Sequence, residues 1–248
     1  MTTVNQPGVP GDDPLPDPGV IEHEHPDVTG GWLRPSVFGA MDGLVSNFAL
    51  IMGVTGGSHD TKPVLLAGLA GLAAGAFSMA AGEYTSVASQ SEFALAQIEI
   101  ERREIKRNGP AEEAELAAMY VEKGVEEETA REVAAQIHRD VEQAVEVHAR
   151  EEFGVDSNDL ASPRLAAVSS FLAFALGALL PLLPLLIGIE AVWPIVALSL
   201  VGLFACGALV TNLTSRSWWY GGVRQLVLGG VAAGLTYLIG EAVGTSLG

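Results

Sequence analysis

Met79-Ala80-Ala81-Gly82-Glu83 sits inside an apolar run from about Pro63 to Gln90, long enough to cross a bilayer. The thioether and the carboxylate are four residues apart, so they share one face of a helix. A second carboxylate, Asp42, begins the preceding apolar run. An acid within a membrane span costs roughly 2.5–3.5 kcal/mol on insertion scales, so such acids commonly mark an ion or proton path. The sulfur of Met79 beside them points to a transition metal.

Further apolar runs lie on either side. The spans expected are about Pro35 to Gly56, Pro63 to Gln90, Leu165 to Ile187, Ala191 to Leu213 and Gly221 to Val243. The chain has 248 residues and a mean hydropathy of +0.33 despite 30 Asp and Glu. Segregation explains this, because the acids cluster between residues 92 and 159. The fold class is therefore an all-α membrane protein: five transmembrane helices with a cytoplasmic three-helix metal-binding insertion between spans 2 and 3. Residues 1–31, rich in Pro, Gly, Asp and Glu and carrying His23 and His25, read as a disordered acidic tail without a signal peptide. Residues 32–90 hold spans 1 and 2, residues 91–160 the insertion, and residues 161–248 spans 3–5.

The net charge of −17 argues against nucleic acid as a partner and suits cations. Cys206 is the only cysteine, so one chain has no disulfide framework or thiolate zinc site. With the N-terminus in the cytoplasm, twelve of the thirteen Lys and Arg lie on the cytoplasmic side and only Lys62 lies outside. The C-terminus is then outside. Gly53-x-x-x-Gly57 and the run Gly68, Gly71, Gly75 permit close helix contact, within one subunit or between two. Five spans are few to enclose a path, which favours a homodimer.

Within the insertion, Asn108-Gly109-Pro110 breaks the helical pattern, with Pro110 opening a new helix. Gly124 reads as a C-cap, and the stretch from about Glu126 to Phe153 has a break near Asp140. Stepping from Glu83 through Ser86, Gln90, Gln97, Glu101 and Glu104 traces a polar stripe from the second span into the insertion. The pairs Glu101/Glu104 and Glu112/Glu115 each put two carboxylates on one face, a costly arrangement unless a cation or nearby Arg neutralises them. Oxygen clusters of this kind suit Mg²⁺, Ca²⁺, Mn²⁺ or Fe²⁺. Arg102, Arg103, Lys106 and Arg107 compete as salt-bridge partners. His148 adds a nitrogen donor before Glu151 and Glu152.

Met41-Asp42-Gly43-Leu44-Val45-Ser46-Asn47, followed by Ser78-Met79-Ala80-Ala81-Gly82-Glu83-Tyr84-Thr85-Ser86, resembles the vacuolar iron transporter family from about residue 32 onward. The resemblance implies five spans, a dimer, and export of Fe²⁺ and often Mn²⁺ from the cytosol in exchange for protons. It implies translocation roles for Asp42 and Met79 and a cytoplasmic metal site formed by Glu101, Glu104, Glu112, Glu115 and Glu152. Where the family can supply a Met, this chain has His148, and the adjacent Glu position holds Ala149. An imidazole there still binds Fe²⁺ or Mn²⁺ but makes binding more sensitive to pH.

The expected function is thus proton-coupled antiport of Fe²⁺ and Mn²⁺ by a protein that is not an enzyme and has no prosthetic group. The cytoplasmic Glu cluster with His148 captures metal. Asp42, Met79 and Glu83 line the path, with Ser46 and Asn47 offering oxygen atoms one turn from Asp42. The partners are divalent metal ions, protons, the lipid bilayer and a second copy of the chain. The membrane expected is a bacterial inner membrane, or a vacuolar one in a eukaryote. The alternatives are a membrane-anchored metal sensor and a di-iron ferroxidase. Ferritin-like di-iron sites use Glu-x-x-His, and neither His138 nor His148 has Glu three residues earlier.

Overall fold

The computed structural model describes residues 31–58, 60–156, 159–212 and 216–247. The expected N-terminal tail, with His23 and His25, lies outside the described residues except for Gly31, and so does Leu213. Every regular element among the described residues is helical. In chain order these are α1 (Leu33–Gly57), α2 (Thr61–Glu122), α3 (Glu127–Ile137), α4 (Val141–Phe153) and α5 (Pro163–Leu179). A 3-10 turn over Leu180–Leu182 leads into the short α6 (Leu183–Leu186), followed by α7 (Val192–Asn212) and α8 (Trp218–Leu247). Five stretches are long and apolar enough to cross a membrane: α1, α2, Pro163–Leu186, α7 and α8.

Local chemistry sets the boundaries. Asp60 caps α2 by accepting from the Lys62 N–H at 3.0 Å. Ser162 caps α5 with Pro163 at its first position, where a missing N–H costs nothing. Pro181 and Pro184 tighten the end of the third span into its 3-10 turn and short helix, because neither can donate back along the chain.

α1 is the central helix of the apolar part, packing against α2, α5, α7 and α8. Leu44, Phe48 and Ile51 on α1 form the core with Val64, Leu182, Ile195 and Leu203. Glycines permit the close approach. A Cβ on Gly57 would stand 2.9 Å from the Gly240 carbonyl oxygen, and one on Gly43 would meet the Phe174 backbone. The small-residue runs at Gly53–Gly57 and Gly68–Gly75 thus serve packing inside one subunit: the first against α8, the second against Ile51, Leu50, Leu182 and Phe174.

Beyond Gln90, α2 continues without a break to Asn108, whose backbone leaves helical geometry (φ −143°, ψ 49°), and a second helical segment runs on to Glu122. Pro110 cannot bond back to Lys106 and its ring crowds that carbonyl, so the chain leaves helical geometry in the preceding turn. The break at Asn108 joins two helical segments at a kink, with Pro110 in the first turn of the second, as the sequence suggests. Past Gly124 (φ +94°) the chain turns into α3. Asp140 separates α3 from α4 by accepting the N–H groups of Glu142 and Gln143 at 2.9 and 3.4 Å. Gly154, in the left-handed region, ends α4. α3 and α4 fold back on α2 through two small cores, one around Ile98, Ile105 and Val145, the other around Leu116, Ala130 and Ala134. The arm beyond Gln90 therefore comprises α2 on both sides of Asn108, α3 and α4.

Candidate functional site

Where α4 crosses α2, three ligand-type side chains meet. His148 is fully buried, with Nδ1 2.7 Å from Glu152 Oε1 and 3.2 Å from Glu101 Oε1. The small residues Ala144 and Ala149 let α4 lie close enough to α2 for this contact. One ligand atom from each of Glu101, His148 and Glu152 lies within 4.8 Å of the other two, so small rotations bring them onto one divalent ion. Glu101 is 7% exposed, and its Oε1 accepts no hydrogen bond from the described residues; the 3.2 Å approach lacks the alignment for one. Glu152 is more open, its side chain 20% exposed.

Burial pushes the Glu101 carboxyl up to about 7, helped by the charge of Glu152 and opposed by His148, with Glu112 and Glu115 adding to the rise. Glu112 is also raised, by burial first and then by Glu115. Glu104 adds to the rise at Glu112 but is also ion-paired with Arg107 at 3.6 Å. Two of the nearby arginines are engaged elsewhere: Arg102 bridges Glu99 and Glu142, both at 2.8 Å, and Arg103 joins Glu99. Among the described residues, no Lys or Arg forms an ion pair with Glu101, Glu112 or Glu115.

A second site lies within the apolar helices. Asp42, Ser46 and Asn47 from α1 face Ser78 and Met79 from α2 across a cavity of about 220 Å³, with Phe174 of α5 behind. Ser46 donates to Asp42 Oδ1 at 2.8 Å, orienting the carboxylate. Asn47 is 2% exposed and donates from Nδ2 to the Ala178 carbonyl at 2.6 Å. Glu83, one turn beyond Met79 on α2, does not line this cavity.

The description "VIT family" fits residues 33–241, a match that contains both sites. The chain belongs to the VIT family. It is 36% identical over 218 residues to the vacuolar iron transporter of Acanthamoeba castellanii, covering 86% of this chain and 78% of that protein. It is 29% identical over 229 residues to vacuolar iron transporter 1 of Oryza sativa subsp. japonica, covering 90% of this chain and 91% of that one. Vacuolar iron transporter homolog 2 of the same plant is 36% identical over 213 residues, covering 84% and 88%.

Two features of this VIT family chain escaped its sequence. Ser78 lines the cavity, although the sequence marks it only as the opening residue of the Met79 motif, with no role of its own. His138 packs edge-to-face on His148, with ring centroids 5.2 Å apart and planes at 85°. Its Nδ1 lies 3.0 Å from the Ala134 carbonyl oxygen. Ten residues and a helix break separate the two histidines, so no periodicity pairs them.

Proposed function

We propose that this protein moves Fe²⁺ and Mn²⁺ out of the cytosol in exchange for protons. The observation that carries the reading is one helix bearing both sites: α2 presents Ser78 and Met79 to the cavity and Glu101 to the acidic triad. The names of the relatives, as vacuolar iron transporters, support iron as cargo. In this reading Glu101, Glu104, Glu112, Glu115, Glu152 and His148 collect the ion on the cytoplasmic side, where the excess of Lys and Arg puts the arm. The ion then passes to Asp42, Met79, Ser46 and Asn47. The thioether favours Fe²⁺ over Mg²⁺ and Ca²⁺. Protons returning inward neutralise an acid of the path, Asp42 or Glu83, and release the metal.

A homodimer completes the path. Asp42 is half-buried and Ser46 exposed on a face of α1 and α2 that their own subunit leaves open. A carboxylate facing hydrocarbon is costly, and a second copy across a two-fold axis shields both.

The test is Fe²⁺ and Mn²⁺ flux into proteoliposomes carrying a pH gradient, comparing wild type with Asp42→Ala. Flux coupled to the gradient and lost in the variant supports the antiporter. Absence of flux from intact protein that still binds metal at the arm overturns it in favour of a metal sensor. Oxygen-dependent turnover of Fe²⁺ without flux favours a ferroxidase.

A further inference from the structure

Arg224 stands within the last span without a counter-ion. It follows Trp218, the first residue of α8, by about 9 Å along the helix axis. Among the described residues it forms no ion pair. The neighbouring α7 contains no Asp or Glu, and the only acid of α8, Glu241, lies about 25 Å further along. The Arg224 side chain is exposed and leans toward the start of the helix, with Cζ 5.8 Å from the centroid of the Tyr220 ring one turn back. Trp219 packs on Trp218, centroids 4.5 Å apart, and on Phe204 of α7 at 5.3 Å, so the aromatic wall is fixed in place. With Trp219, Tyr220, Val223, Val227 and Leu228, Arg224 lines a groove of about 580 Å³. Gly221 and Gly222 set the opposite face of α8 against Gly207 and Phe204, so the groove faces away from α7. Two spans precede the arm and two more precede α8, so α8 starts on the arm's side of the membrane.

We infer that this groove binds an anionic phospholipid, with its phosphate on the Arg224 guanidinium and an acyl chain along Val223, Val227 and Leu228. An unpaired guanidinium at the edge of a span calls for an anion, and the described residues around it supply none. A phospholipid phosphate is the anion that the bilayer offers at that depth, and its paired oxygens match the planar fork of arginine. Trp and Tyr mark the same depth, because their amphipathic rings settle at the headgroup level. A zwitterionic lipid carries its own cation beside the phosphate, so it complements Arg224 less well than an anionic one. Plain snorkelling of Arg224 to water selects no lipid. The inference is independent of the ion path.

The experiment uses the full chain in phosphatidylcholine vesicles, with Trp32→Phe and Trp193→Phe in every sample so that Trp218 and Trp219 report alone. Phosphatidylglycerol or phosphatidylcholine with brominated acyl chains is added in increasing mole fraction, and quenching is read. The brominated phosphatidylglycerol is expected to bind about fivefold or more tighter than its phosphatidylcholine counterpart. Arg224→Gln is expected to abolish that preference, and Arg34→Gln, on the same side but outside the groove, to keep it. Size-exclusion profiles identify misfolded protein. If Arg224→Gln misfolds, Tyr220→Leu decides, since it keeps the charge and removes the ring that steers it, and is expected to weaken the preference. Equal quenching by both lipids in the Arg224 protein overturns the site. So does a preference that survives folded Arg224→Gln, or one that Arg34→Gln reduces equally, which shows diffuse attraction to surface charge.

Discussion

Nδ1 of His148 lies 2.7 Å from Oε1 of Glu152, one turn further along α4, and the imidazole has no exposed surface. Glu101, from the crossing helix, stands 3.2 Å from the same nitrogen. One buried imidazole therefore faces two carboxylates.

Replacing His148 with Leu removes one of three clustered donors and leaves Glu101 and Glu152 facing each other without a nitrogen between them. Metal affinity at the arm is expected to fall at least tenfold, about 1.4 kcal/mol. Titration calorimetry with Co²⁺ on the full chain measures it. His148→Met, which keeps a donor, is expected to retain more affinity. Equal affinity in His148→Leu and wild type counts against His148 as a ligand.

The Glu101 carboxyl, pushed up to about 7 from its ordinary 4.5, sets a pH window. An acid with a higher pKa when folded holds its proton more tightly in the folded state. Metal-free protein therefore loses stability from this group as pH rises from 4.5 to 7, and loses no more above that. Thermal unfolding of metal-free protein across this window shows the trend, and Glu101→Gln removes its contribution. Bound metal reverses the direction, since it displaces the proton: affinity rises with pH up to about 7 and then levels.

Gly177→Ala tests the packing of α1 against α5. Its Cβ would meet the Ala40 carbonyl and stand 3.0 Å from the Leu44 N, both backbone atoms with no freedom to yield. The helices must part, at a cost of about 2 kcal/mol or more. Thermal stability in detergent is expected to fall by several degrees, while Gly82→Ala, which meets nothing, leaves it unchanged. An unchanged midpoint for Gly177→Ala disproves the tight contact.

Light scattering of the detergent-solubilised protein, corrected for bound detergent, is expected to give twice the 25.8 kDa chain mass. A mass of one chain rules out the two-fold path.

The apolar runs were legible because a bilayer-length stretch without charge has few other uses, and all five match helices of that length. The break before Pro110 was legible from covalent chemistry, since a ring without an N–H interrupts any helix. What stayed hidden needed distance information. The Asn47–Ala178 bond joins residues 131 apart, and the His138–His148 contact depends on how α3 turns into α4. Steps of three and four along α2 put Glu83 in line with Met79 and Glu101, but such spacing says nothing about which turn α1 faces. The opposing helix reaches Met79 at the cavity and leaves Glu83 outside it. Side-chain conformations decide which acids the arginines reach: Arg102 and Arg103 meet Glu99 and Glu142, Arg107 meets Glu104, and Glu101 faces His148.

From Thr61 to Arg107, α2 has no residue outside helical geometry, a rod of about 70 Å at 1.5 Å per residue. Met79 and Glu101 stand about 33 Å apart on that rod. An unbroken helix twists and tilts as one body, so a change of angle between α1 and α2 at Met79 swings Glu101 through an arc that lengthens with distance from the pivot. Asn108 is the first joint where such leverage can be lost, and it lies beyond Glu101. Glu112 and Glu115 lie on the far side of that joint, so the two carboxylate pairs ride on different segments, and only the packing of α3 and α4 on both segments holds them at a fixed distance.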